Sequence, residues 1–301
     1  GDAFGDADHQ GDSGVGGLTV AKEVFALLPA ENIVYFGDVG RSPYGGRSKE
    51  IITQFTRQDI ALLLEHKVKC IICACNTASS VALEDLRPHY SVQMIGVIEP
   101  GARAAVERTT NGRIGVIGTN ATIGSNAYAR CIHDLDPKLK VFSLACPLFV
   151  PLAEEGYIDK EATFLIARDY LQTMLDVDID TLVLGCTHYP LLRHIIQDVM
   201  GDNITLIDSG EETARFALRY LTEQGLVNPA DGSTPHISAG SSTPHAGTGG
   251  NGSASISRNG AARTGEHKYF VSDVPEKFSS IATRFLGRHI ENITRGDISE
   301  Y

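Results

Sequence analysis

The chain has 301 residues, enough for two domains of ordinary size, and 42% of them are hydrophobic, as in globular proteins. Its formal net charge of −11 argues against general binding to nucleic acid, which requires a basic surface. No apolar run approaches the roughly 18 residues that span a bilayer, and the first residues lack a signal-peptide pattern. We therefore expect a cytoplasmic protein without a membrane or nucleic-acid partner.

Short apolar runs alternate with segments of helical periodicity along most of the chain. The first series predicts strands at 32–36, 70–73 and 93–98, and helices at 51–67 and 77–86. The second series predicts strands at 114–117, 140–144, 181–184 and 205–207, and helices at 126–135, 160–175 and 191–199. A strand at 268–272 and a helix at 275–286 close the chain. Alternation of this kind is typical of α/β proteins with parallel sheets flanked by helices.

The two series open in a similar way. The residues Gly-Val-Ile-Gly-Thr at 115–119 resemble Asp-Ser-Gly-Val-Gly-Gly at 12–17, and two cysteine motifs lie at nearly the same separation. This weak repeat predicts two similar lobes, each a mainly parallel sheet flanked by helices, with the active site in the cleft between them. The stretch 228–265 is rich in Gly, Ser, Thr, Pro and Asn, and we predict a flexible polar insertion there.

Cys75 and Cys186 each follow a compact apolar run, at the point where a buried strand should end. Ligands of parallel α/β sheets bind beyond the carboxyl ends of the strands, so both thiols are directed to one kind of site. Their neighbours, Asn76, Thr77 and Thr187, carry groups suited to hold an amino acid, and His188 can serve as a base for Cys186. Two matched thiols indicate a pair of opposed acid/base groups.

The other four cysteines are expected to be inert buried thiols, since free cysteine is among the most buried residue types; they are Cys70, Cys73, Cys131 and Cys146. A zinc site at Cys70, Cys73 and Cys75 is disfavoured because alternate residues of a strand point to opposite faces. We therefore predict no metal.

Two glycine-bearing turns and one acidic turn are further candidates for the site. The Asp12–Gly17 turn opens into a helix, where free amides favour a carboxylate or phosphate, although a tight turn capped by Asp12 or Ser13 would look the same. The turn around Tyr44 and Gly45 follows a strand and offers donors from a hydroxyl and an amide. Glu154 can bring a carboxylate into the cleft, or can lie in a solvated turn.

Five motifs in this order resemble those of the glutamate racemases, of the aspartate/glutamate racemase superfamily. They are Asp-Ser-Gly-Val-Gly-Gly-Leu-Thr-Val at 12–20, Pro-Tyr-Gly at 43–45, Cys-Asn-Thr at 75–77, Gly-Val-Ile-Glu-Pro at 96–100 and Gly-Cys-Thr-His-Tyr-Pro-Leu at 185–191. They cover most of residues 12–227, and 269–287 resembles the family's C-terminal end. The chain departs from the family before Asp12, where residues 6–11 are poor strand formers.

The resemblance implies cofactor-independent interconversion of L- and D-glutamate, which supplies D-glutamate for bacterial peptidoglycan. It makes Cys75 and Cys186 the catalytic thiols and gives assisting roles to Asp12, His188 and Glu154. The substrate-binding residues that it implies are Asp12, Ser13, Tyr44, Gly45, Asn76, Thr77, Thr187 and His188. It also implies one domain of residues 1–98 plus 208–301 and another of 99–207, with a homodimer and a cell-wall precursor as activator as further expectations.

Racemisation has a chemical logic that fits two thiols. A proton leaves one face of Cα and another arrives on the opposite face, so two acid/base groups must flank the carbon. Two alternatives stay open: racemisation of aspartate or a related amino acid, and a non-catalytic ligand-binding protein on the same scaffold. A pyridoxal-phosphate enzyme is disfavoured, because no lysine lies in a convincing Schiff-base context.

Overall fold

Two parallel sheets organise the chain in the computed structural model, which describes residues 9–12, 14–229, 264–290 and 292–301. The predicted insertion lies almost wholly outside the described residues, as does Ser13. No helix in the described ranges has both the length and the apolar character needed to cross a membrane.

Strands and helices alternate along most of the described chain. The first series comprises β1 (His9–Asp12), α1 (Leu18–Leu27), β2 (Ile33–Gly37), α2 (Lys49–Leu64), β3 (Cys70–Cys73), α3 (Asn76–Val81), α4 (Leu83–Leu86) and β4 (Gln93–Gly96). The second comprises α5 (Ile98–Arg108), β5 (Arg113–Gly118), α6 (Asn120–Gly124), α7 (Ala127–Leu135), β6 (Lys140–Ala145), α8 (Phe149–Glu154), α9 (Glu161–Asp176), β7 (Thr181–Gly185), α10 (Arg193–Met200) and β8 (Thr205–Asp208). The chain then continues as α11 (Ser209–Glu223), β9 (His267–Val271), α12 (Pro275–Leu286) and β10 (Ile293–Arg295).

Four strands of the first sheet have the same order as the four strands of the second. The first sheet runs β10-β9-β2-β1-β3-β4 and the second runs β6-β5-β7-β8, and all the pairings are parallel. Strands β2-β1-β3-β4 therefore correspond one by one to β6-β5-β7-β8. The predicted fold class, α/β with two similar lobes built on parallel sheets, is confirmed, and the weak sequence repeat reflects a repeated topology.

Strand β1 forms in spite of its poor composition. It lies between β2 and β3, with His9 paired to Val34 on one side and to Ile71 on the other. A central position supplies backbone hydrogen-bond partners on both edges, and this tertiary context outweighs a low intrinsic preference for strand.

Helices cover both faces of the first sheet. On one face Ile71 packs with Ile52 and Leu63 of α2. On the other face Ile72 packs with residues of α1 and α11, among them Ala217. Cys70 and Cys73 belong to these two separate clusters, as the alternation along β3 requires. All six cysteines are free thiols.

Helices α5 and α11 were not predicted from the sequence, and the strand expected over 93–98 ends at Gly96. Helix α5 packs on the second sheet, where Ala102 and Ala105 contact the cluster around Ile114. Helix α11 returns to the first lobe through Ala214 and Leu221. This packing supports a division into 1–98 plus 208–301 and 99–207, which remains a proposal.

The two described ends of the polar stretch meet at one loop of the first lobe. The Asn228 amide donates to Glu31 Oε1 at 2.6 Å, and the Gly265 amide donates to the Pro29 carbonyl at 2.8 Å. Glu31 is fully buried and also pairs with Lys69 at 2.8 Å. This anchor lies before β2, at the amino ends of the strands.

Asp180 provides a test of how the second lobe is stabilised. Its carboxylate accepts hydrogen bonds from Thr109 Oγ1 at 2.6 Å, the Thr110 amide at 2.6 Å and the Asn111 amide at 2.7 Å. Burial alone would raise the pKa of Asp180, but these hydrogen bonds outweigh it and hold the pKa below its ordinary value. The carboxylate therefore contributes stability above its unfolded pKa of about 3.9, and that contribution is lost as the pH falls.

We expect Asp180→Asn to lower the free energy of unfolding by about 1–2 kcal/mol at pH 7, a modest value because the group is partly exposed. Urea unfolding at pH 7 and pH 3.5 measures it, and the deficit should shrink at the lower pH. Asp178→Asn, at an exposed position nearby, is the matched control. An equal loss in both variants would contradict the assignment.

Candidate active site

A cavity of about 200 Å³ opens between the two lobes, beyond the carboxyl ends of strands from both sheets. It is lined by loops after β2, β3, β5, β6 and β7. The lining residues are Ser42, Pro43, Tyr44, Gly45, Gly46, Cys75, Asn76, Thr77, Thr119, Asn120, Pro147, Val150, Pro151, Cys186, Thr187 and His188. The structure therefore brings both candidate thiols, one from each lobe, to a single cavity.

Cys75 sits at the junction between β3 and α3. It is the N-cap of α3, where its Sγ accepts a hydrogen bond from the Ala78 amide at 3.5 Å. The side chain is 5% exposed, so this amide acts on the sulfur with little competition from solvent. A backbone donor of this kind stabilises negative charge on a thiol, as a base that removes a carbon-bound proton requires.

Cys186 occupies the equivalent place after β7 and has a histidine partner. Its Sγ lies 3.7 Å from Nδ1 of His188, and Nε2 of His188 lies 3.0 Å from Oε1 of Glu154. Burial would lower the pKa of His188, but the hydrogen bonds and charges of Cys186 and Glu154 outweigh it and raise the pKa to about 10. The cationic imidazole carries a proton on each ring nitrogen, so Nδ1 donates to the sulfur and Nε2 donates to Glu154.

Glu154 acts on the site from behind His188. It does not line this cavity but a neighbouring one, together with Gly14, Ser42 and Pro43. Its backbone carbonyl accepts a hydrogen bond from Arg284 of α12, and the Phe285 ring packs edge-on against His188 with centroids 5.6 Å apart. Glu154 is therefore placed to orient His188.

The Tyr44–Gly45 turn reaches the cavity in a different way from the one expected. The Tyr44 hydroxyl donates to Asp38 and lies 3.1 Å from Oδ2 of Asp59, so it is occupied behind the cavity. Burial and these two carboxylates raise the pKa of Tyr44, which keeps the hydroxyl protonated. A Cβ on Gly45 would lie 2.8 Å from Cβ of Thr119, so only glycine fits this approach of the lobes.

A group of threonine hydroxyls joins the lobes at the cavity wall. Thr77 Oγ1 lies 2.9 Å from Thr119 Oγ1, and Thr119 donates to Thr122 at 3.0 Å. On the other side Thr19 donates to the Thr187 carbonyl at 2.9 Å. Hydroxyls and amides of this kind are suited to bind carboxylates.

The glycine turn before α1 meets the Cys186 loop. A Cβ on Gly16 would lie 2.3 Å from Thr187 Oγ1 and 2.6 Å from Cε1 of His188. Strand β1 carries Asp12 to the same edge of the sheet, in register with Gly37. The roles predicted for Asp12 and Ser13 stay predictions, because Ser13 lies outside the described residues.

Sequence reasoning missed several residues that line the cavity, including Thr119, Asn120, Pro147, Val150 and Pro151. Thr119 had a usable signal, because it follows β5 directly and stands where the second series repeats the glycine turn of the first. Among the described residues, no three His, Cys, Asp or Glu side chains are grouped to hold a metal ion.

Comparison with known proteins agrees with this geometry. Residues 38–217 match the Asp/Glu/hydantoin racemase family model. The glutamate racemase of Geobacter metallireducens is 44% identical over 94% of this chain and 93% of its own. The solved RacE1 glutamate racemase of Bacillus anthracis superposes with a TM-score of 0.84 at 36% identity, over 98% of both chains. That of Francisella tularensis, in complex with D-glutamate, has a TM-score of 0.82 at 32% identity, over 99% of both chains.

Two lobes of matching strand order, each offering one thiol to a shared cavity, define an enzyme of the amino-acid racemase class. The match of the family model and the 44% identity to a full-length relative extend across both lobes. The chain belongs to the Asp/Glu/hydantoin racemase family and is an isomerase.

Proposed function

We propose that this protein racemises glutamate by transferring protons at Cα between two thiols. The observation that carries the proposal is the placement of Cys75 and Cys186, one per lobe, on one cavity. Each sulfur has a partner that stabilises its anion: the Ala78 amide for Cys75 and His188 for Cys186. No cofactor enters the proposed reaction.

In the proposed reaction one sulfur starts as thiolate and the other as thiol. The thiolate takes the Cα proton from one face of glutamate, and the electron pair stays on carbon. The thiol on the opposite face then gives its proton to that carbon, which inverts the configuration. The two sulfurs exchange roles when the substrate is the other enantiomer, as general acid/base catalysis at a stereocentre demands.

The carbanion must be stabilised where its charge develops, on the carboxylate next to Cα. The hydroxyl of Thr187 and the backbone amides of Asn76 and Thr77, at the start of α3, belong to residues that line the cavity and are the proposed donors for the two carboxylates. Donors held in place before reaction stabilise developing charge without reorganisation.

We propose glutamate rather than aspartate as the substrate, because the compared relatives are glutamate racemases and one of them is solved with D-glutamate. Racemisation of aspartate is the alternative within this mechanism. A non-catalytic ligand-binding protein is the alternative outside it.

The proposal extends to the cellular role. D-glutamate would supply peptidoglycan synthesis, and free cysteines at the site suit the reducing cytoplasm. Activation by a cell-wall precursor and a homodimer remain predictions.

The proposal predicts that L-glutamate in deuterated buffer, with chelator and no added cofactor, acquires deuterium at Cα and racemises. Nuclear magnetic resonance follows the uptake and circular dichroism follows the loss of optical activity. Aspartate serves as the matched second substrate. Deuterium uptake by aspartate alone would make aspartate the substrate and leave the mechanism unchanged. Binding of glutamate or aspartate without exchange of the Cα proton would support the non-catalytic alternative.

A further inference from the structure

A buried chain of hydrogen bonds runs between the two thiols behind the cavity wall. The Tyr128 hydroxyl donates to Asn76 Oδ1 at 2.6 Å, and Asn76 Nδ2 donates to Ser209 Oγ at 3.3 Å. Ser209 Oγ donates in turn to the Leu184 carbonyl at 3.0 Å. Tyr128, Asn76 and Ser209 are each at most 2% exposed. We call these three side chains and the Leu184 carbonyl the Asn76 bridge.

The ends of the Asn76 bridge lie next to the sulfurs in sequence. Asn76 directly follows Cys75 at the start of α3, and Leu184 lies in β7, two residues before Cys186. Tyr128 comes from α7 of the second lobe, and Ser209 begins α11. The bridge therefore couples the backbone that carries one thiol to the backbone that carries the other.

The direction of the hydrogen bonds in the Asn76 bridge is determined. Because Ser209 uses its proton on Leu184, its oxygen accepts from Asn76 Nδ2, which leaves Oδ1 of Asn76 to accept from Tyr128. Tyr128 can supply that proton, since burial raises its pKa above its ordinary value and keeps the hydroxyl protonated. A satisfied buried network of this kind has one favourable arrangement and resists displacement.

Packing holds the Tyr128 ring in place between two glycines. A Cβ on Gly101 of α5 would lie 3.3 Å from the Tyr128 hydroxyl. A Cβ on Gly185 would lie 3.1 Å from Cε2 of the ring. Gly185 precedes Cys186 directly, so the ring also touches the backbone at the second thiol.

We infer that Tyr128 and Ser209 are positioning residues, which act through Asn76 to hold the two thiols at the separation that inversion requires. The inference rests on the proposed racemisation. Inversion needs both sulfurs aligned with Cα at once, and a displacement of about 1 Å can lower the rate by about 10²-fold. The carbanion can take a proton on the opposite face, which inverts Cα, or on the original face, which restores the substrate. A side chain that only stabilised the fold would not control the ratio of these two outcomes.

Tyr128→Phe tests the inference because it keeps the ring and removes the donor. We expect kcat for glutamate to fall by about 10- to 100-fold in both directions, with KM changed much less. In deuterated buffer the carbanion will more often take a proton back from the thiol that formed it. After that thiol exchanges with solvent, recovered substrate gains deuterium without inversion, so the ratio of label in substrate to label in product rises.

Tyr189→Phe is the matched control. The Tyr189 side chain is fully buried in the same lobe, and its hydroxyl donates to the Cys146 carbonyl at 2.9 Å. Neither Tyr189 nor Cys146 lines the cavity. This variant should lose comparable thermal stability while its deuterium ratio stays at the wild-type value.

Ser209→Ala interrupts the Asn76 bridge at another point and keeps the test decisive if Tyr128→Phe folds poorly. It should raise the same ratio, and the double variant should show less than the summed effects, because both residues act through Asn76. An unchanged ratio in a folded Tyr128→Phe or Ser209→Ala variant would overturn the inference, as would a rise in KM alone. Failure of the wild-type protein to exchange the Cα proton would instead overturn the proposed function.

Discussion

Replacing either thiol, by Cys75→Ala or Cys186→Ala, is expected to lower kcat for glutamate racemisation by about 10²–10⁴-fold, the usual contribution of a general acid or base. Both sulfurs line one cavity from different lobes, and in the proposed reaction each serves one face of Cα. Circular dichroism measures the loss of inversion.

The single variants also distinguish a two-base from a one-base mechanism. Each variant keeps one thiol, which can still exchange the Cα proton of one enantiomer without inverting it. Deuterium should therefore enter only one enantiomer of glutamate with Cys75→Ala, and only the other enantiomer with Cys186→Ala. Uptake into the same enantiomer by both variants would contradict the assignment of opposite faces.

Cys131→Ala is the control for loss of a thiol as such. Cys131 lies in α7, is only partly buried and does not line the cavity. Its replacement should leave kcat unchanged.

The second large effect is expected from Glu154→Gln, which removes the charge that faces His188 Nε2 at 3.0 Å. Glu154 is one of the groups that raise the pKa of His188 to about 10, so its removal lowers that pKa. The imidazolium beside Cys186 then deprotonates at lower pH. We expect the alkaline limb of kcat/KM to move down by about 1–3 pH units, and kcat at pH 8 to fall by about tenfold.

A pH profile of kcat/KM in both directions checks this expectation. The equilibrium constant for racemisation is one, so kcat/KM must fall equally for L- and D-glutamate, which provides an internal test of the data. Glu155→Gln removes the same charge from the exposed neighbouring position and should leave the profile unchanged. An alkaline limb that stays in place in Glu154→Gln would contradict the role given to His188.

Most strands and longer helices could be predicted because each carries its own periodic pattern. Helix α5 was not predicted because Pro100 and Gly101 are residue types that usually break helices. Proline is tolerated in a first turn, where its missing N–H is not needed, and Gly101 makes room for Tyr128. Strand β10 has three residues and exists through its pairing with β9, so no local pattern could reveal it.

The residues of the candidate site also fall into a group that local sequence patterns predict and a group that only the tertiary structure reveals. Cys75, Asn76, Thr77, Cys186, Thr187 and His188 were predictable because they directly follow buried strands of recognisable composition. Tyr128 and Ser209 were not, since they lie 52 and 133 residues from Asn76. Tyr128 meets Asn76 through the approach of the lobes, and Ser209 meets it through the return of α11 to the first lobe. The Tyr44 hydroxyl was assigned to substrate because a sequence does not reveal which carboxylates lie behind a turn.

The anchor at Pro29 and Glu31 bears on how this chain can change in length over evolution. Asn228 and Gly265, near the two described ends of the polar stretch, are held beside the same loop at the amino ends of the strands. Doubling the number of residues between two fixed points adds only about 0.6 kcal/mol of closure entropy. A change in the number of residues between these two positions therefore adds little closure entropy, and both points of attachment lie at the ends of the strands opposite to the cavity.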